Sequence, residues 1–141
     1  MYARFYWCLL FAPALGLWLA SLYQPALKQP GGTFQYSGMY CFMIGWIGIF
    51  GRLEWLLPWS ANVLFWITAI SGVFRAQLRQ KDLVISVFAI GLALVALTIR
   101  TIEMNEGGER AHVTPGLGFY LWLGSMIASS AAVFFRLQRA M

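Results

Sequence analysis

The charges of this chain are confined to short gaps: no Asp, Glu, Lys or Arg falls within 5–27, 37–51, 55–74, 83–99 or 113–135. A bilayer crossing takes about 20 mainly apolar residues, and these stretches are at or near that length. Composition points the same way. Hydrophobic residues make up 60% of the chain and charged ones 11%, against roughly 25% charged in a soluble domain. A chain of 141 residues can bury a sizeable soluble core. It cannot bury that share of apolar side chains and also clothe its surface, so lipid must solvate many of them. The expected fold is an all-α integral membrane bundle in one domain.

The net charge of +5 raises the question of an acidic or nucleic-acid partner. The basic residues form no patch but sit at segment ends, where they fix membrane orientation. Nucleic acid is therefore not expected. Cys8 and Cys41 lie in apolar stretches without C-x-x-C spacing, which suits buried small side chains rather than a metal or redox motif. The first apolar run has only Arg4 before it, and Trp18-Leu19-Ala20-Ser21 is a poor cleavage site. It reads as a retained helix rather than a signal peptide, with Pro13 tolerated as in other membrane helices.

The spacing predicts spans at about 4–23, 36–51, 58–74, 83–101 and 117–135. Asp82 is placed to cap the fourth, and 24–32, with two prolines and Gly31-Gly32, reads as a loop. The ambiguous stretch is 51–60. Residues 37–74 are too long for one crossing at 1.5 Å per residue and slightly short for two with a generous loop. Either a tight turn at 52–60 joins two helices, giving five spans, or part of the segment is re-entrant, giving four. Five is favoured. Trp55 and Trp59 suit an interface, and Pro58 suits a turn or helix start. Arg75, Arg79 and Lys81, with Arg136 and Arg139, place the 75–82 loop and the end of the fifth helix in the cytoplasm. The 103–116 loop then faces the periplasm.

Candidate chemistry is sparse. Glu103, Glu106, Glu109 and His112 recur every third residue, and on a helix they would share a face with metal-ligating groups. Gly107-Gly108 interrupts such a helix and Arg110 would pair with an acid, so a water-facing loop is expected and no metal. A membrane haem generally takes two axial histidines. The lone His112 lies outside the spans, and no cofactor is expected. No catalytic Ser-His-Asp or Cys-His set can be assembled within the spans, which argues against an enzyme. Arg52 and Glu54 are the charges nearest membrane depth. Two apart, they diverge on a helix and can meet in a turn. Asn62 and Thr68 suit hydrogen bonding between helices.

Packing features are plainer. Gly45, Gly48 and Gly51 form a slanted small-residue stripe, and Gly124, Ala128 and Ala132 form a small-xxx-small face with Ser125 and Ser129 beside it. Such faces let helix backbones approach closely in lipid.

Two stretches carry a resemblance. Gly45-Trp46-Ile47-Gly48-Ile49-Phe50 is followed by Glu54-Trp55 and Ala61-Asn62. Asn105-Glu106-Gly107-Gly108 is followed by the run from Gly116 to Met126. Together they resemble a loosely defined group of small, uncharacterised bacterial inner-membrane proteins, over about the last two-thirds of the chain. The group often has proline after its Ala-Asn pair, where Val63 stands here. The resemblance implies a bacterial inner membrane and two to five packed helices, and it carries no functional residue.

The resulting expectation is a non-enzymatic polytopic membrane protein acting through helix–helix interaction. It would be an accessory subunit of a membrane complex or an immunity protein against a membrane-acting toxin, with the bilayer and a membrane protein or a second copy as partners. The alternative is a small oligomeric channel or transporter with Arg52, Glu54 and the 103–112 loop at its mouths.

Overall fold

Helix α1 spans Tyr2–Tyr23 and runs directly into strand β1, Pro25–Lys28, in a computed structural model that describes residues 2–50, 52–74, 79–103 and 110–139. Strand β2, Gln35–Ser37, pairs antiparallel with β1 and leads into helix α2, Gly38–Ile44. Ser37 caps α2 by accepting from Tyr40 N at 3.2 Å. The chain then tightens into a 3₁₀ segment, Gly45–Phe50. Helix α3 follows over Leu53–Phe74, and α4 over Gln80–Val95 with a 3₁₀ end at Ala96–Thr98. Strands β3 (Thr101–Glu103), β4 (Arg110–His112) and β5 (Thr114–Pro115) precede helix α5, Leu117–Gln138.

Among the described residues, three helices are long and apolar enough to cross a membrane: Leu53–Phe74, Gln80–Thr98 and Leu117–Gln138. Helix α1 packs along α5, and α4 packs against both α3 and α5. Their core joins Ala14 and Trp18 of α1, Ala61 and Phe65 of α3, Ala89 and Ala93 of α4, and Met126 of α5. Outward-facing Val84, Val87 and Phe88 of α4, and Ile67 and Ile70 of α3, are more than a third exposed, as side chains facing lipid would be.

One end of the bundle carries the strands of the described residues. Strand β1 pairs with both β2 and β5, while β3 and β4 form a hairpin with Thr101 opposite His112 and Glu103 opposite Arg110. Leu27, Ile102, Ala111 and Val113 are buried beneath these strands, with Tyr36, Cys41, Trp55 and Ile99 packed against them. The 24–32 and 103–116 connections, expected as loops, are therefore partly strand. Their backbone groups pair across the cap, and their alternate side chains cover the bundle end.

The stretch 36–51, expected as one span, is not a single continuous helix. That stretch is the end of β2, a seven-residue helix and a 3₁₀ segment. It begins at the strand end, where Gly38 N donates to Gln24 O at 2.9 Å. It returns there, because Trp55, just past its far end, packs with Leu27 and Ile102. The return is possible because the 3₁₀ segment lies flat against the first turns of α3. A Cβ at Gly45 would stand 2.7 Å from Trp59 Cδ1, and one at Gly48 would stand 2.6 Å from Leu56 N. Pro58 starts no helix of its own and lies inside α3.

Asp82 is likewise not the N-cap of α4. Arg79 takes that position, and Asp82 reaches back from the first turn to accept from Arg79 N at 2.7 Å.

Candidate functional site

Several buried polar side chains of this bundle bond back to their own helix. The Thr68 hydroxyl donates to Leu64 O, Ser86 to Leu83 O and Ser125 to Trp122 O, each within its own helix. Asn62 is different. Its carboxamide oxygen accepts from Trp18 Nε1 at 3.0 Å and from Trp122 Nε1 at 2.9 Å, so α1, α3 and α5 meet on one atom. Its nitrogen donates to Trp59 O at 3.2 Å. Trp59 Nε1 in turn donates to Phe42 O at 2.8 Å, which ties α2 to α3. Around this network Trp18 stands edge-on to Phe42 and Trp66 and stacks on Phe65. Indoles bring large apolar area together with an N–H that seeks a partner, and here one asparagine supplies that partner twice.

Beside the network is a partly open cavity of about 110 Å³, between the strand cap and the helices. Phe42, Trp55, Trp59, Phe119 and Trp122 give it aromatic walls, and Asn62 contributes to its lining. Cys41 also faces it. Burial pushes the Cys41 thiol up to about 11, only partly offset by a backbone hydrogen bond. It is therefore a neutral thiol at physiological pH and a poor nucleophile.

The residues singled out in the sequence fall in several places. Arg52 and Glu54 do meet at the turn before α3, at 3.9 Å, with both side chains nearly half exposed. Exposed pairs of this kind contribute little to stability. The connection expected to carry Glu103, Glu106, Glu109 and His112 as a water-facing loop is strand at both of its described ends. Glu103 and His112 lie on opposite strands of a hairpin, His112 is exposed, and Glu106 and Glu109 fall outside the described residues. Among the described residues no three His, Cys, Asp or Glu side chains gather as a metal site. Gly45 and Gly48 pack inward on α3, while Gly51 falls outside the described residues. Gly124 faces Leu17 of α1, Ala128 packs on the main core, and Ala132 packs with Phe11. These small faces thus serve contacts within the chain.

The burial of two charges among the described residues is not announced by the sequence. Asp82 is 2% exposed, and Arg136, read as lying just beyond the fifth helix, is 4% exposed within α5. Arg136 donates to Gly72 O of α3. Its signal was slight: Arg136 follows Ser125, Ser129 and Ala132 at helical spacing, which continues the buried face of α5.

No protein-family model, curated protein or solved structure matches this chain.

Proposed function

We propose that this chain is a non-enzymatic integral membrane protein of four crossings that works by recognition through its strand-capped end. It would serve as an accessory subunit of a membrane complex or as a membrane immunity protein. The observation that carries this reading is the cap itself, where separate connections fold together over the bundle end around Leu27, Ile102 and Val113. Ordering so many connecting residues costs conformational entropy that free loops would keep, and a shaped surface justifies that cost. The described residues of the small-residue faces pack within the chain, which favours the cap over the helix flanks as the partner surface.

The resemblance to bacterial inner-membrane proteins supports that membrane, and the charge distribution supports placing the cap in the periplasm. A photo-crosslinking residue at Gln35 or Thr33, both exposed, tests the function in native membranes. It should give one discrete adduct, lost when Arg52→Glu reverses a charge of the cap. The same probe at lipid-facing Val87 should give none. A chain that purifies as a monomer with no cap-specific adduct would refute the proposal.

A second reading is a small oligomeric channel or transporter. It rests on the Arg52–Glu54 pair at the turn before α3, charges that would stand at the mouth of a pore. Ion flux in liposomes that is abolished by Arg52→Ala or Glu54→Ala would decide for it.

A further inference from the structure

The cavity beneath the cap has a polarity that its own hydrogen bonds dictate. An asparagine side chain offers two acceptor lone pairs and two donor hydrogens. The indoles of Trp18 and Trp122 fill both lone pairs of Asn62 Oδ1. One amide hydrogen goes to Trp59 O, and the second has no acceptor among the described residues. Asn62 is 6% exposed and lines the cavity. What it can present to a guest is therefore a donor, so the guest must bring an acceptor. The other polar groups of the lining are quieter. Ser21 Oγ donates to Trp18 O at 2.6 Å, and Trp59 Nε1 to Phe42 O.

Shape narrows the choice further. A cavity of about 110 Å³ is smaller than the roughly 150 Å³ that holds a benzene ring in an engineered apolar core, so it admits one six-membered ring and leaves the ring's substituents in its open mouth. Aromatic walls favour a flat ring, by stacked or edge-on contact. The cavity is partly open, so a chain attached to the ring can leave it.

We infer that this cavity binds a membrane-resident amphiphile whose head is a single flat ring bearing a carbonyl oxygen, the chemistry of a substituted benzoquinone. The Asn62 amide hydrogen bonds the carbonyl, the tryptophans flank the ring, and the tail extends into lipid. Only binding is inferred, and it does not depend on the partner proposed for the cap.

Cys41 provides the readout. With Cys8→Ala in the full chain, reconstituted in phosphatidylcholine nanodiscs, Cys41 is the one thiol, and its alkylation by N-ethylmaleimide can be followed by mass. A fully substituted benzoquinone with a decyl tail should slow that alkylation saturably. Decylbenzene, with the same tail and ring size but no carbonyl, should need about fivefold more for equal protection, the weight of one hydrogen bond. Asn62→Leu should erase the difference between the two. The inference is overturned if the quinone gives no protection, which includes the case of a lipid ester already holding the site. It is overturned equally if decylbenzene matches the quinone in the unsubstituted chain, or if a folded Asn62→Leu protein keeps the preference. The first two outcomes need no variant at Asn62, so a failure of that variant to fold leaves the test intact.

Discussion

Asn62 and Thr68 look alike in the sequence, two mild polar residues in an apolar run, and both were candidates for bonding between helices. The structure separates them. Thr68 bonds back to its own helix, while Asn62 joins three helices through two indoles. The difference was not legible because it depends on where Trp18 and Trp122 arrive from elsewhere in the chain. Hydrogen bonds between membrane helices average about 0.6 kcal/mol and reach about 1.7. Asn62→Ala removes two of them and strands two indole N–H groups, so a loss of about 1–3 kcal/mol is expected. Thr68→Val should cost less than about 0.5 kcal/mol. Reversible unfolding in mixed micelles measures both, and equal losses would mean the network carries no special weight.

Cys41 allows a pH prediction at the same scale. Its thiol is pushed from 9.0 up to about 11 by burial. A thiol that stays protonated in the fold favours the folded state below about pH 9. That contribution is lost as pH rises from about 9 to about 11, because the unfolded chain releases its proton first. In the Cys8→Ala protein, alkylation of Cys41 should be slow near pH 8 and keep accelerating until about pH 11. A rate that levels off by about pH 10 would show the thiol to be solvated.

Among the elements, the long helices α3, α4 and α5 follow directly from apolar length, whereas 36–51 does not. Its composition suits a crossing, and nothing local marks it as one that turns back. What decides is a tertiary fit: Gly45 and Gly48 press the 3₁₀ segment onto α3 at Trp59 and Leu56. The glycine stripe was visible in the sequence, but the surface it meets was not. The strands had a faint local sign, the alternation of exposed Arg110 and His112 with buried Ala111 and Val113. Gly48→Ala should therefore destabilise by about 1–3 kcal/mol through overpacking against backbone. Gly91→Ala, with nothing within 4 Å, should be neutral or gain about 0.5–1 kcal/mol from helix propensity. Comparing the two in one unfolding assay isolates the close approach, since the chemical change is identical.

For the whole molecule, the number of crossings follows from where 36–51 begins and ends. If that segment stays at the strand end, four helices cross, and the ends of α1 and α5 farthest from the cap share one side with the α3–α4 connection. The charges then sort cleanly by sequence position. Arg4, Arg75, Arg79, Lys81, Arg136 and Arg139 flank the far end against Asp82 alone, six minus one, or +5. Lys28, Arg52, Arg100 and Arg110 flank the cap against Glu54, Glu103, Glu106 and Glu109, four minus four, or zero. Orientation follows Lys and Arg alone, and these stand six at the far end against four at the cap, an excess of the sign that cytoplasmic loops carry. A five-crossing arrangement would instead put Arg4 outside, with Lys28 inside. Single cysteines at Thr33, Arg52 and His112, in a chain lacking its own two, should all react with an impermeant maleimide added to intact cells. Those at Arg79 and Arg139 should react only after the membrane is opened. Thr33 and Arg52 are the discriminating pair, because they bracket the disputed segment. If they label from opposite sides, 36–51 crosses after all, and the cap cannot sit on one face of the membrane.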